Sequence, residues 1–177
     1  MPSLPLAQAL LLFLPTNVSD SKTQHYREVF AALTSLCEDE DNEIAVMATI
    51  VAELHHRMPG FDWTGFYRVT QPRHLKIGPY QGGHGCLNIP FERGVCGMAA
   101  TQKATQIVPD VNALPYHIAC SSSTLSEIVV PVFDAQGELQ AVLDVDSNQL
   151  AHFDDSDAEW LEKIVTFLLP CYPSSAT

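Results

Sequence analysis

Basic residues are scarce in this chain: nine lysines and arginines stand against 21 aspartates and glutamates, giving a formal net charge of −12. Nucleic acid and anionic membranes are bound by clustered lysine and arginine, so neither is expected as a partner. Long apolar runs are also missing. The N-terminal run over 4–14 is shorter than the roughly 20 apolar residues that a membrane-spanning helix needs.

The cysteines lack the paired C-x-x-C spacing of zinc fingers, and their number, five, is odd. Both features argue against a secreted disulfide framework and favour a reducing compartment such as the cytoplasm. Cys37 and Cys171 lie in helix-like stretches and are interpreted as small buried apolar residues. Cys86, Cys96 and Cys120 stand in the middle of the chain, followed closely by carboxylates. Thiols near acids around one pocket indicate redox chemistry on a small polar molecule.

The length and composition predict one packed domain. The chain has 177 residues, of which 46% are hydrophobic and 17% charged, enough for one full core and too few for two ordinary domains. Residues 1–19 form an extension without preceding basic residues, interpreted as a segment that packs on the domain or on a partner subunit, with an organellar targeting role left open. The domain is assigned to 20–170 and a tail to 171–177.

Apolar periodicity predicts an α+β fold, an antiparallel sheet with helices packed mainly on one face. Helices are expected over 21–36, capped by Ser19 or Asp20, over 42–58 and over Gly94–Gln102. The last begins at a Ser156–Glu159 capping box and is stopped by Pro170. Strands are expected over 62–69, 74–78, 105–108, 127–133 and 139–145, and the final two form a hairpin.

Three carboxylates and two aromatic residues complete the candidate site. Asp144 and Asp146 share one face of a strand because alternate residues point the same way, and Glu127 opens another strand. Carboxylates that converge in a partly dry pocket cannot all ionise, so at least one is expected to hold a proton near neutral pH. Trp63 and Tyr67 lie four apart on a strand and therefore on one face. Asp144 and Asp146 also fit solvated strand-end residues, and the aromatics fit core packing.

Zinc binding is the alternative use of the same thiols. His84, Cys86, His117 and Cys120 offer two imidazoles and two thiols, which is a possible zinc set. A bound zinc ion would block the thiols that redox chemistry needs, so the two readings exclude each other. We predict no metal site here.

The chain resembles the GAF-domain free methionine-(R)-sulfoxide reductases over about 20–169. The resemblance is carried by motifs in the same order and at similar spacing: D-W-T-G-F-Y at 62–67, I-G-P-Y-Q-G at 77–82, I-P-F-E-R-G-V-C-G at 89–97, H-I-A-C at 117–120, S-E-I-V-V-P at 126–131 and V-L-D-V-D-S at 142–147. Each motif alone is weak, but three cysteines in three matching contexts are specific.

The resemblance implies a role for each residue. Cys120 is implied to attack the substrate and become a sulfenic acid, and Cys86 to resolve it as an intramolecular disulfide. Cys96 is implied to be an alternative resolving thiol or to pass the disulfide onward, and the division between Cys86 and Cys96 stays open. His117 is placed to assist Cys120. Trp63 and Tyr67 are implied to enclose the methyl group of the substrate. Three acids are implied to bind and polarise the sulfoxide oxygen: Glu127, Asp144 and Asp146.

The same resemblance implies the partners. Free L-methionine-(R)-sulfoxide is the expected substrate, a thioredoxin-like dithiol protein the expected reductant, and a homodimer the expected assembly. No organic cofactor or metal is expected, since the electrons pass through cysteines. The competing hypothesis is a non-catalytic GAF module that senses a small ligand.

Overall fold

Six strands form one antiparallel sheet in this computed structural model, which describes residues 18–114 and 123–172. The strand order is β3-β2-β1-β6-β5-β4, and each neighbouring pair is antiparallel. The strands are β1 (Trp63–Gln71), β2 (His74–Gln81), β3 (Asn88–Pro90), β4 (Gln106–Val108), β5 (Ser126–Phe133) and β6 (Leu139–Ser147). The predicted β5–β6 hairpin is confirmed.

Four α-helices occur in the described part of the chain: α1 (Val18–Leu36), α2 (Glu43–Arg57), α3 (Gly94–Gln102) and α4 (Asp155–Val165). Short 3-10 segments span Val111–Ala113 and Thr166–Cys171. The predicted bounds of α3 are confirmed. Helix α2 starts where the Asn42 side chain accepts hydrogen bonds from the Ile44 and Ala45 amides, as an N-cap does.

Two predicted helix caps are wrong. Ser19 and Asp20 lie inside α1 and therefore cannot cap it. Helix α4 is capped by Asp154 in a capping box with Asp157, because the Asp154 side chain accepts from the Asp157 amide and Asp157 accepts from the Asp154 amide. The Ser156–Glu159 box is therefore wrong.

Pro170 does not stop the last helix. The chain continues past α4 as a 3-10 segment that contains this proline, and Leu168 within it is fully buried. Cys37 and Cys171 are half-buried free thiols packed against the helical core. Ile44, in the first turn of α2, is 41% exposed.

The sheet separates two apolar cores. On one face, side chains such as Phe66, Ile128 and Leu143 pack against α1, α2 and α4. On the other face, Tyr67, Val129 and Val142 pack under α3 and its flanking loops. The prediction of a sheet with helices mainly on one face is confirmed. None of the described helices is long and apolar enough to cross a membrane.

A buried polar contact fixes α1 against α4. The Tyr26 hydroxyl donates a 2.8 Å hydrogen bond to Asp157, and Lys22 forms an ion pair with the same carboxylate. Asp157 is fully buried, so this pairing satisfies a charge that would otherwise be costly to bury. The thinner face of the sheet, covered by one short helix and loops, is where the predicted site residues gather.

Candidate active site

Strand register brings the predicted carboxylates together on the α3 face of the sheet. Asp146 of β6 lies between Trp63 of β1 and Glu127 of β5, and Asp144 lies two residues along β6 on the same face. The predicted hairpin brings β5 and β6 together, but the register that sets Glu127 opposite Asp146 includes an irregularity between Val132 and Phe133. The structure therefore places Trp63, Glu127, Asp144 and Asp146 in adjacent positions.

Cys96 of α3 contacts the carboxylates from the side of the helix. Its Sγ lies 3.2 Å from Asp144 Oδ2, so the thiol donates a hydrogen bond to this carboxylate. Glu127 and Asp144 are each only 6% exposed, and Cys96 is 4% exposed. The ligand atoms of Cys96, Glu127 and Asp144 all lie within 4.8 Å of one another. Asp144 and Asp146 are thus not an isolated pair of solvated strand-end residues, although Asp146 is partly exposed.

Burial and mutual repulsion favour the protonated forms of these groups. Burial raises the pKa of Asp144 to about 7, although hydrogen bonds with Cys96 and Glu127 oppose the rise. Burial and then the Asp144 charge raise the pKa of Glu127 well above its usual range, and the pKa of Asp146 rises for the same two reasons. The Cys96 pKa is also raised, first by burial and then by Asp144. The expectation that a proton is held near neutral pH agrees with these directions.

A stability prediction follows for Asp144. Because its folded-state pKa of about 7 exceeds the unfolded value of about 4, the folded protein holds this proton more strongly. This group therefore makes the free energy of unfolding fall as pH rises from about 4 to 7. Asp144→Asn cannot titrate, so its stability relative to wild type should increase over that interval. Urea unfolding at several pH values measures this.

The matched control for that experiment is Asp41→Asn, at an exposed carboxylate before α2. This variant removes one carboxylate at the surface and therefore controls for the change in net charge. The raised pKa would be contradicted if the stability of Asp144→Asn, relative to wild type, stayed constant or fell as pH rises from about 4 to 7.

An aromatic wall stands beside the acids. The Trp63 ring stacks between Tyr67 and Tyr80, with centroid distances of 5.9 and 5.5 Å, and its Nε1 donates to the Gly83 carbonyl at 3.1 Å. Trp63 and Tyr67 are buried, and burial followed by the Asp144 charge raises the pKa of the Tyr67 hydroxyl. The Tyr67 hydroxyl therefore stays protonated next to the acidic cluster.

Gly65 makes this stacking possible. A Cβ at Gly65 would come within 2.5 Å of both Trp63 Cη2 and Tyr80 Cβ, which is closer than real Cβ contacts allow. The Trp63 ring lies across the strand only because this position has no side chain. Neither Gly65 nor Tyr80 was predicted as a site residue. Gly65 belongs to the D-W-T-G-F-Y motif, but only the stacked rings show that it leaves space for Trp63.

We expect Gly65→Ala to displace the Trp63 ring and raise KM at least about tenfold, since a misplaced binding group costs on the order of 1.4 kcal/mol or more. Trp63 and Trp160 are the only tryptophans, so a shift in tryptophan emission reports the displacement. Gly83→Ala is the matched control, because a Cβ there meets nothing within 4 Å. Unchanged emission and KM in Gly65→Ala would contradict the assigned role.

Cys86 lies at the edge of the aromatic wall. The preceding Gly85 is packed so closely that an added Cβ would come within 3.0 Å of Ile77 Cδ1, Trp63 Cζ2 and the Tyr67 hydroxyl. Cys86 is disulfide-bonded and half-buried, whereas Cys96 is a free thiol. His84 is exposed. His117 and Cys120 lie outside the described residues.

A small cavity opens between the wall and the acids. Its volume is about 100 Å³, and it is lined by Trp63, Gly83, Ser123, Thr124 and Asp146 among others. Ser123 and Thr124, which line this cavity, follow Cys120 by three and four residues in the sequence. A larger cavity of about 350 Å³, lined by Lys103, Glu162 and Leu169 among others, contains none of the predicted site residues.

The chain is similar to known proteins over most of its length. A GAF domain family model matches residues 40–168. The Escherichia coli free methionine-R-sulfoxide reductase is 34% identical over 148 residues, which cover 84% of this chain and 88% of that protein. The chain belongs to the GAF-domain free methionine-(R)-sulfoxide reductases. The predicted family, fold and reductase class are confirmed.

Solved structures agree with this assignment. The Neisseria meningitidis free methionine-R-sulfoxide reductase in complex with its substrate matches with a TM-score of 0.78 and 44% identity, over 83% of this chain and 87% of that chain. A reduced form of the Staphylococcus aureus enzyme matches with a TM-score of 0.79 and 38% identity, over 84% of this chain and 95% of that one.

Proposed function

We propose that this reductase converts free L-methionine-(R)-sulfoxide to L-methionine through a sulfenic acid on Cys120 that Cys86 resolves as a disulfide. The observation that carries the proposal is the buried group of proton-holding acids beside a stacked aromatic wall, with a disulfide-bonded cysteine at its edge. Relatives that bear the name of this activity, one of them solved with its substrate, support it.

The first step transfers oxygen from the substrate to a thiol. The Cys120 thiolate attacks the sulfoxide sulfur while an acid protonates the sulfoxide oxygen, which gives a transient adduct with an S–S bond. The hydroxyl oxygen then moves to the Cys120 sulfur as the S–S bond and the substrate S–O bond break. Methionine leaves with its sulfur reduced by two electrons, and Cys120 is left as a sulfenic acid. The Cys86 thiol then attacks the sulfenic sulfur, releases water and leaves a disulfide.

Glu127 and Asp144 supply the acid of this scheme. Glu127 is buried, its pKa is raised, and its carboxyl interacts with Asp144. A protonated carboxyl in this position donates a hydrogen bond that strengthens as charge develops on the sulfoxide oxygen. The two groups titrate together, so the proton is best assigned to the pair.

Cys86 suits the resolving role better than Cys96. The Cys96 thiol is buried, donates to Asp144 and has a raised pKa, so little of it is thiolate near neutral pH. Cys86 is half-buried and already disulfide-bonded. A relay role for Cys96 stays a prediction.

The aromatic wall explains the choice of epimer. With the sulfoxide oxygen on Glu127 and Asp144, only one configuration at sulfur directs the methyl group towards the Trp63 ring. The other epimer would place its oxygen against an apolar surface without a hydrogen-bond partner. Burying an unpaired polar oxygen typically costs about 1–3 kcal/mol of binding free energy.

The resemblance supports a reductant that returns the disulfide to two thiols, and the odd cysteine count supports a reducing compartment. A thioredoxin-like dithiol protein would reduce the disulfide by thiol–disulfide exchange. We also propose that the protein is a homodimer in a reducing compartment such as the cytoplasm.

A chiral assay tests the proposed reaction. Both epimers of free methionine sulfoxide are supplied with dithiothreitol as reductant, and each epimer is quantified over time. The R epimer alone should disappear and methionine should form in equal amount. Persistence of both epimers, in protein whose thiols are shown to be reduced, would contradict the reaction and point to the ligand-sensing alternative.

A further inference from the structure

One thiol and two carboxylates converge beneath α3 with ligand atoms that face one another. The donor atoms of Cys96, Glu127 and Asp144 lie within 4.8 Å of each other, and all three side chains are buried. They come from α3, β5 and β6, so the arrangement is held by three packed elements of the fold. The charged groups that act on Cys96 are acidic: Asp144, Glu127 and Asp146.

One oxygen of this cluster depends on Glu127 for its donor. Asp144 Oδ2 accepts from the Cys96 thiol, and among the described residues the buried Asp144 Oδ1 has no hydrogen-bond partner while Glu127 is ionised. A buried carboxylate oxygen without a donor costs free energy. The Cys96 thiol and a protonated Glu127 are the donors that the described residues offer to Asp144, and a single cation can replace both protons.

We propose that Cys96, Glu127 and Asp144 form a binding site for a divalent cation of the zinc type. A thiolate with two carboxylates favours zinc over magnesium or calcium, which take oxygen ligands. Bond lengths of about 2.3 Å to sulfur and 2.0 Å to oxygen in a tetrahedron separate the two ligand atoms by roughly 3.5 Å. The Cys96 Sγ to Asp144 Oδ2 distance of 3.2 Å is close to that edge.

The site differs from the zinc set considered in the sequence, which used His84, Cys86, His117 and Cys120. It leaves one coordination position open, as a three-ligand zinc site does. If the proposed function holds, the cation and the sulfoxide oxygen require the same two carboxylates. The cation would therefore exclude the substrate, and zinc would inhibit the enzyme reversibly.

Cobalt(II) is the probe for the site, because a thiolate ligand gives it a charge-transfer absorption band. The full-length protein is used in its oxidised form, with Cys86 in its disulfide, so that the thiols available in the described structure are Cys37, Cys96 and Cys171. Titration with cobalt should give one equivalent of bound metal and a thiolate-to-cobalt band that zinc abolishes.

Variants assign the band to its ligands. Cys96→Ser should remove the band, and Asp144→Asn should weaken cobalt affinity at least about tenfold, since loss of even an outer-shell partner costs that much. Cys37→Ser and Cys171→Ser are the matched controls and should retain the band. Circular dichroism and thermal unfolding establish that each variant is folded. If Cys96→Ser does not fold, Glu127→Gln replaces it and should also weaken affinity.

Two results would overturn the site: no charge-transfer band in the wild-type protein at millimolar cobalt, or a band that survives in folded Cys96→Ser. Competition is tested separately by adding methionine-(R)-sulfoxide, which should raise the apparent cobalt Kd, whereas the S epimer should not. An unchanged Kd would overturn the shared use of the carboxylates. If the metal-free enzyme does not reduce the R epimer in the chiral assay, the proposed function is contradicted. The cobalt titration still tests the metal site in that case.

Discussion

Cys120→Ser should lose turnover of methionine-(R)-sulfoxide by at least about a thousandfold, equivalent to about 4 kcal/mol of transition-state stabilisation. A serine hydroxyl is far less nucleophilic than a thiolate near neutral pH, and it cannot accept the sulfoxide oxygen as a sulfenic acid. The measurement is kcat/KM with dithiothreitol as reductant. Steady-state activity near that of wild type would exclude Cys120 as the attacking group.

Cys86→Ser separates attack from resolution. This variant retains Cys120, so reduced protein should release one methionine per chain in a single turnover. It should then recycle slowly, because the sulfenic acid lacks its resolving partner. Cys37→Ser is the matched control: it removes a half-buried thiol of the helical core, on the other face of the sheet, and should keep wild-type kinetics. Rapid formation of an intramolecular disulfide in Cys86→Ser would transfer the resolving role to Cys96.

Glu127→Gln should lower kcat/KM by about 10²–10⁴-fold, the usual contribution of a general acid. The substitution keeps the size of the side chain but removes a buried carboxyl whose pKa burial and Asp144 raise. The wild-type rate should fall as pH rises through the range in which the acid pair loses its proton, and that descending limb should be lost or shifted in the variant. A pH profile of kcat/KM measures both effects.

Glu138→Gln is the matched control for Glu127→Gln. Glu138 lies in the turn of the same hairpin, exposed and away from the acids, so its replacement should leave kcat/KM and the pH profile unchanged. A Glu127→Gln enzyme within about threefold of wild type would show that the proton comes from elsewhere.

The sequence predicted the elements well because their apolar patterns are strong. The β-branched run of β5 and the turn after it identified the hairpin, and the short α3 was placed correctly. The errors lie at helix ends and at β3, a three-residue strand that was not predicted. The α4 cap is built from two aspartates, Asp154 and Asp157, and the expected serine–glutamate pair lay two residues further on. Pro170 is tolerated because the chain there is a 3-10 segment packed by Leu168.

The site was predictable in its residue types but not in its contacts. Alternate side chains of a strand point the same way, so the sequence placed Asp144 and Asp146 on one face of β6. Only the strand register shows that Glu127 lies opposite Asp146. The hydrogen bond from Cys96 to Asp144 joins residues 48 apart, and no local pattern predicts it. The space for Trp63 depends on a missing side chain at Gly65, and a sequence cannot show which glycine is required by a neighbouring ring.

The most direct test of the proposed chemistry is a single turnover of reduced protein without added reductant. Methionine released, free thiols lost and the position of the new disulfide are measured on one sample by chromatography, thiol titration and peptide mass spectrometry. We predict one methionine per chain, a fall of two from the five thiols and a peptide that links Cys86 to Cys120. Methionine release with all thiols intact, or a disulfide that omits Cys120, would contradict the account.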